Sequence, residues 1–175
     1  MKSKNQKDKY FVFSVPTAFV YEIQAETEEE VKANWEQLKL KEGKKSVLQG
    51  VPKSLPAMVK ANRIQEKARG VGFDWEHKEQ VWEKVQEELG ELKEEVDNTL
   101  DKSKMESELG DVLFSVINYA RFLDIDPEIA LEKTNKKFIH RFQYLESKAK
   151  EDNKELKDMT LAEMDVFWEE ANKNK

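Results

Sequence analysis

The sequence predicts an all-α protein, an antiparallel helical bundle preceded by a short non-helical segment. Apolar residues recur at three- and four-residue intervals along most of the chain, the spacing of one buried helix face. Helix start and stop signals bracket those stretches, and the connections between them are short, which favours antiparallel neighbours. At 175 residues the chain is long enough to bury one real core. Charged residues make up 38% and mean hydropathy is −0.83, yet 38% of residues are hydrophobic and periodic, which argues against disorder. A net charge of −6 argues weakly against a duplex-binding surface, which needs clustered Lys and Arg. The absence of cysteine excludes disulfide and thiolate chemistry, and two histidines are too few for a histidine-based zinc site. No apolar run is long enough to span a membrane.

Residues 1–25 stand apart. Four lysines precede the apolar run Tyr10–Tyr21, superficially like a signal peptide, but Pro16 interrupts it and no small-residue cleavage site follows. Export is therefore not expected, and the protein is read as cytoplasmic. Alternating Phe11, Phe13 and Val15 favour a strand or hairpin over a helix, disorder being the other reading of residues 1–25. Thr27 with Glu30 opens a first helix that Gly43 closes, and Gly43–Ser54 reads as a loop broken by Gly50 and Pro52. A second helix starts at Ser54-Leu55-Pro56 and ends at Gly70; "GVGFDW" connects it to a third, His77 to Asn98, striped by Val81, Val85, Leu89, Leu92 and Val96. Ser103 with Glu106 is a capping pattern for a fourth, whose Leu109, Val112, Leu113, Val116, Ile117 and Ala120 form a broad apolar face. Asp126-Pro127 opens a fifth, reaching about Lys150, and Thr160 with Glu163 caps a sixth carrying Met164, Phe167 and Trp168.

Two carboxylate pairs break the polar-outside pattern. Glu88 and Glu91 lie three apart on the third helix, about 60° around its axis, next to Leu89 and Leu92. Glu108 and Asp111 repeat the arrangement on the fourth, next to Leu109 and Val112. Antiparallel packing brings such pairs face to face, where they repel unless a cation neutralises them. Oxygen-only ligands select a hard ion, Mg²⁺ or Mn²⁺. Solvated surface carboxylates are the competing reading, and Glu87, Glu94, Glu95 and Glu106 are left to it, Glu95 with a possible role behind the ligands.

The motifs "GVGFDW", "EELGEL", "ELGDVLFSVINYAR", "ALEKTNKKFIHRFQYLE" and "MTLAEMDVFWEEA" closely resemble the catalytic half of the MazG nucleoside triphosphate pyrophosphohydrolases. That family's E-x-x-E…E-x-x-D series reads here Glu88, Glu91, Glu108 and Asp111, with sixteen residues (92–107) between the pairs. The resemblance covers residues 26–175 as a MazG-like catalytic domain and leaves 1–25 unmatched. Full-length members carry a second, N-terminal copy of the domain; a single copy is expected here.

The resemblance implies a bundle of the all-α NTP pyrophosphatase type. It implies hydrolysis of NTPs or dNTPs between the α and β phosphates, giving a monophosphate and pyrophosphate with Mg²⁺ (or Mn²⁺). House-cleaning of aberrant nucleotides is one use of that activity. The four acids would hold the metal, with Glu91 and Asp111 equally plausible as general base. Lys137 and Arg141, and with them Lys39, correspond to the family's phosphate-side cations; a solvated basic face is the alternative. Trp168 corresponds to an aromatic near the nucleotide, where a base stacks unless the ring is simply core, and Asn135 is a further polar candidate. Related proteins are dimers or larger, so a homodimer is expected, Trp168 being a possible donor across its interface. Competing readings are a narrower dUTP/dCTP or phosphoribosyl-ATP pyrophosphohydrolase and a non-catalytic helical module.

Overall fold

A computed structural model describes residues 8–14, 19–25, 27, 30–31, 34, 45–98 and 101–173. Two strands, β1 (Asp8–Ser14) and β2 (Phe19–Ala25), pair antiparallel from Asp8↔Ala25 to Ser14↔Phe19, in keeping with the strand reading of this segment. Everything else regular among the described residues is helical. Glu30, Val31 and Asn34 are helical, and the Glu30 N–H donates to Thr27 Oγ1 at 3.2 Å, so the first helix opens where its capping signal stands. Its expected end at Gly43 lies outside the described residues. The expected loop carries one 3-10 turn, Val47–Gly50.

The major helices follow: α1 (Ala57–Arg69), α2 (Lys78–Asn98), α3 (Lys102–Phe122), α4 (Pro127–Glu151) and α5 (Leu161–Lys173). Their ends obey local chemistry. Gly72 takes φ +87° just beyond α1, a conformation that favours glycine, and the Phe73 N–H returns to Ala68 O at 3.0 Å. Asp126 Oδ1 accepts from the Ile129 N–H at 3.0 Å, with Pro127 in the first turn of α4. Before α5 the Thr160/Glu163 capping box is complete: Glu163 Oε2 accepts from the Thr160 N–H at 2.8 Å, and Thr160 Oγ1 from the Glu163 N–H at 3.3 Å. One cap differs from expectation. Asp101, not Ser103, begins α3, its Oδ1 accepting from the Ser103 N–H at 3.0 Å. An aspartate two residues upstream competes for the same orphan amides and wins.

The chain forms two compact units, Met1–Asp124 and Ile125–Lys175. In the first, α2 and α3 run antiparallel: Trp82 near the start of α2 meets Tyr119 near the end of α3 with ring centroids 5.2 Å apart. Val81 and Val85 from α2 and Val112 and Ile117 from α3 are buried there. Each buried side chain of this size is worth roughly 1.5–3 kcal/mol. Gln65 ties α1 to α3 by donating from Nε2 to Phe114 O at 2.8 Å. In the second unit α4 packs on α5 over Leu145, Ala149 and Ala171, with Phe138 edge-on to Trp168 at 5.0 Å.

The stripes differ from expectation in one respect. Leu89 is 48% exposed, and Leu109, Leu113, Val116 and Val96 are exposed too. Among the buried positions of α2, Glu88 follows Val81 and Val85 at the seventh place, so the inward face passes through the acid and not through its leucine neighbour.

Candidate active site

Glu88 is 8% exposed, a rare state for a carboxylate. It is sustained by Lys84 one turn earlier, whose Nζ lies 2.7 Å from Glu88 Oε1 and 2.8 Å from Glu87 Oε1. The hydrogen bonds to Glu87 and Glu88, in that order, hold the Lys84 ammonium well above the usual lysine range. Across the helix pair, carboxylate oxygens of Glu88, Glu91 and Glu108 lie within 4.8 Å of one another. Glu91 is exposed, yet partial loss of solvent and then the charges of Glu88 and Glu108, against a smaller opposing effect of Lys84, raise its carboxyl above the ordinary 4.5.

Three of the four expected acids are thus together. Asp111, on α3 one turn beyond Glu108, is exposed and outside that 4.8 Å group, but it lines with Glu88 a cavity of about 610 Å³. Three crowded carboxylates, one of them buried, form an all-oxygen donor set suited to a hard divalent cation, which would relieve the repulsion that adds to the loss of solvent in lifting Glu91.

The cavity lies wholly within the first unit, between α1, the connector after it, α2 and α3. Phe73, Trp75 and Phe114 give it an aromatic lining, and Gln65, Asn118 and Arg121 a polar one. Arg121 forms a two-pronged pair with Asp74, NH1 to Oδ2 at 2.9 Å and NH2 to Oδ1, fastening the connector to α3. Its Nε and NH2 also donate to Asn118 Oδ1 at 3.1 and 2.8 Å.

The remaining candidates belong to the second unit. Lys137 and Arg141 stand one turn apart on α4, Lys137 exposed. Arg141 donates to Asn172 Oδ1 at 2.6 Å and lies over the Trp168 ring, 5.5 Å from its centroid. Arg141 and Trp168 are therefore brought together, although the ring is also engaged by Phe138. Asn135 lies 3.5 Å from Glu132 Oε2 on the exposed side of α4. Lys39 lies outside the described residues.

Lys84, Gln65 and the Asp74–Arg121 pair were not singled out by sequence reasoning. For Lys84 a signal existed, its i,i+3 and i,i+4 spacing to Glu87 and Glu88. For Gln65 there was none, since its position depends on the packing of α1 against α3.

Helices packed around a carboxylate cluster of this kind define a class: helical proteins with an acidic group, between two antiparallel helices, that could hold a metal ion. Residues 76–145 match the MazG nucleotide pyrophosphohydrolase domain, so the chain contains a domain of the MazG type. It is 44% identical over 140 residues to the nucleoside triphosphate pyrophosphohydrolase/pyrophosphatase MazG of Thermotoga maritima, covering 78% of this chain and 53% of that protein. It is 39% identical over 152 residues to the nucleoside triphosphate pyrophosphohydrolase of Escherichia coli K12, covering 84% of this chain and 58% of that one. It is 45% identical over 153 residues to the Bacillus subtilis protein YabN, covering 86% of this chain and 31% of YabN. The chain thus spans little more than half the length of the two named pyrophosphohydrolases.

Proposed function

We propose that the protein hydrolyses nucleoside triphosphates to the monophosphate and pyrophosphate, with Mg²⁺ or Mn²⁺ held by Glu88, Glu91, Glu108 and Asp111. The observation that carries the proposal is the cluster of Glu88, Glu91 and Glu108 at the edge of a cavity that Glu88 and Asp111 line, on residues that match the MazG domain. Acids alone repel a triphosphate. The bound cation would neutralise them, stabilise charge on the transferred phosphorus and lower the pKa of water.

The protein's own groups divide the remaining work. Asp111, exposed and outside the crowded trio, is open to an incoming water or metal, and it shares with Glu91 the place of candidate general base. Lys137 and Arg141 grip phosphate oxygens, Arg141 already oriented by Asn172 and Trp168. Lys39, Asn135 and Trp168 complete the nucleotide-side set. A homodimer covers the exposed leucines of α2 and α3 and closes the site.

Pyrophosphate release tests this reading across the common ribo- and deoxyribonucleoside triphosphates with Mg²⁺, with dUTP, ITP and phosphoribosyl-ATP included. Turnover of several nucleotides is expected. Preference for the non-standard ones would support house-cleaning, exclusive use of dUTP, dCTP or phosphoribosyl-ATP would replace it with a narrow specificity, and no turnover with either cation would leave a non-catalytic helical module.

A further inference from the structure

We infer that Lys84 is an exchangeable counter-ion of the acid cluster: it holds Glu88 while no divalent cation is bound, and yields it to one by withdrawing onto Glu87. The inference rests on the cation site proposed above and adds the residue that sets how tightly that site binds.

Lys84 divides its ammonium between two carboxylates, lying 2.7 Å from Glu88 Oε1 and 2.8 Å from Glu87 Oε1. The two acids differ. Glu88 is buried and belongs to the trio with Glu91 and Glu108, whereas the Glu87 side chain is 56% exposed and lies outside it. Opposite charges one turn apart occur on other helices and stretches of this chain, but there the acid is solvated: Glu66, paired with Arg63, has a side chain 44% exposed, and Asp97, paired with Lys93, one 54% exposed. Ion pairs of that kind contribute little. Only 10% of the Glu88 side chain meets solvent, so there the ammonium replaces the hydration the carboxylate has lost. Lys84 also stands on the wall of the cavity that Glu88 and Asp111 line, where an arriving ion meets it.

A divalent ion seated among Glu88, Glu91 and Glu108 does not share Glu88 with an ammonium without cost. Two cations would lean on one carboxylate, a repulsion that strengthens as solvent is excluded. Binding is therefore an exchange, in which the ion takes over the charge of Glu88 and Lys84 leaves it. Glu87 makes that step short. Nζ is already within hydrogen-bond distance of Glu87 Oε1, so rotation about the last bonds of the flexible lysine stem completes the transfer with the backbone of α2 unmoved. The released ammonium keeps one carboxylate and gains water. Because an internal competitor holds Glu88, the apparent affinity for the ion falls below the intrinsic one by the fraction of chains in which Lys84 has let go.

Mn²⁺ alone tests this on the full chain, with free ion followed by electron paramagnetic resonance and no nucleotide present. Lys84→Met, which keeps the stem and removes the competitor, should bind Mn²⁺ roughly tenfold more tightly. Glu87→Gln removes the landing place and should weaken binding by roughly threefold. In the Lys84→Met background the same Glu87→Gln change should have no effect, because Glu87 acts only through the lysine. Independent, additive effects would overturn the exchange and leave ordinary charge effects. Equal or weaker Mn²⁺ binding by Lys84→Met would overturn it too, while leaving the cation site standing. No Mn²⁺ binding by any of these proteins would refute the cation site and the exchange with it. The unsubstituted protein supplies a check that needs no variant to fold. In NMR spectra of lysine labelled at Nζ, the Lys84 ammonium protons should exchange with water faster as Mg²⁺ is added, and an exchange rate unchanged at saturating Mg²⁺ would overturn the inference.

Discussion

Glu91 sits where three negative charges crowd, and the crowding separates its role in chemistry from its role in stability. Glu91→Gln keeps the shape and removes one charge. Pyrophosphate release is expected to fall by orders of magnitude, whereas the metal-free melting temperature holds or rises because repulsion is relieved. A variant that stays active, or that unfolds outright, would remove Glu91 from the site. Glu163 shows the opposite sign. The Lys154 ammonium at 2.8 Å, followed by the Thr160 N–H and hydroxyl, lowers its carboxyl from 4.5 to about 2. Folding therefore favours the ionised form, and the stability this adds is present above pH 4.5 and lost as pH falls through 2. Glu163→Gln should melt below the unsubstituted protein at neutral pH, with the difference shrinking toward pH 2. A gap independent of pH would show that only the shape of the cap matters. Both groups were legible in the sequence, Glu91 from its place in a repeated acidic motif and Glu163 from its spacing to Thr160. The burial of Glu88 was not, because reading a stripe from apolar residues alone assigns the inward place to Leu89.

At the scale of elements, the connector between α1 and α2 is held through the carboxylate of Asp74. The Arg121 side chain is hardly exposed and meets Asp74 with both terminal nitrogens, while Arg69 Nε approaches the same carboxylate at 3.9 Å. Asp74→Ala leaves a guanidinium without its main acceptor, at a cost of about 2–3 kcal/mol by denaturant unfolding. Arg121→Met with Asp74→Ala together should cost less than the two separately, since neither charge is then stranded. Strict additivity would show that the pair is not coupled. Helix ends were largely legible because capping is local: Asp126-Pro127 and Thr160/Glu163 both cap as their spacing implies. The fourth helix in the sequence was misread by two residues because Asp101 and Ser103 are both good caps, and only the backbone path decides between them. The Asp74–Arg121 contact joins residues 47 apart, and local pattern carries no trace of such a pairing.

For the molecule as a whole, a cation bound only by the assembled cluster adds folding free energy by mass action. Millimolar Mg²⁺ or Mn²⁺ should raise the melting temperature of the unsubstituted protein and affect Glu91→Gln less; identical shifts in both would place the ion elsewhere. Assembly supplies the last test. Leu109, Leu113 and Val116 recur along one face of α3 and are exposed, Leu113 by 52%, and Leu89 and Val96 are exposed on the neighbouring α2. A helix face of this kind stays in water at a cost, since burying each such side chain gains roughly 1.5–3 kcal/mol. A second copy of the same face is the simplest cover, because two-fold pairing needs only one self-complementary surface. The unsubstituted protein is therefore expected to scatter light as a dimer at micromolar concentration. Leu113→Glu should halve the mass and lower pyrophosphate release, with helix content by circular dichroism retained. A monomer with full turnover would refute the shared site, and a dimer that tolerates Leu113→Glu would move the interface off α3.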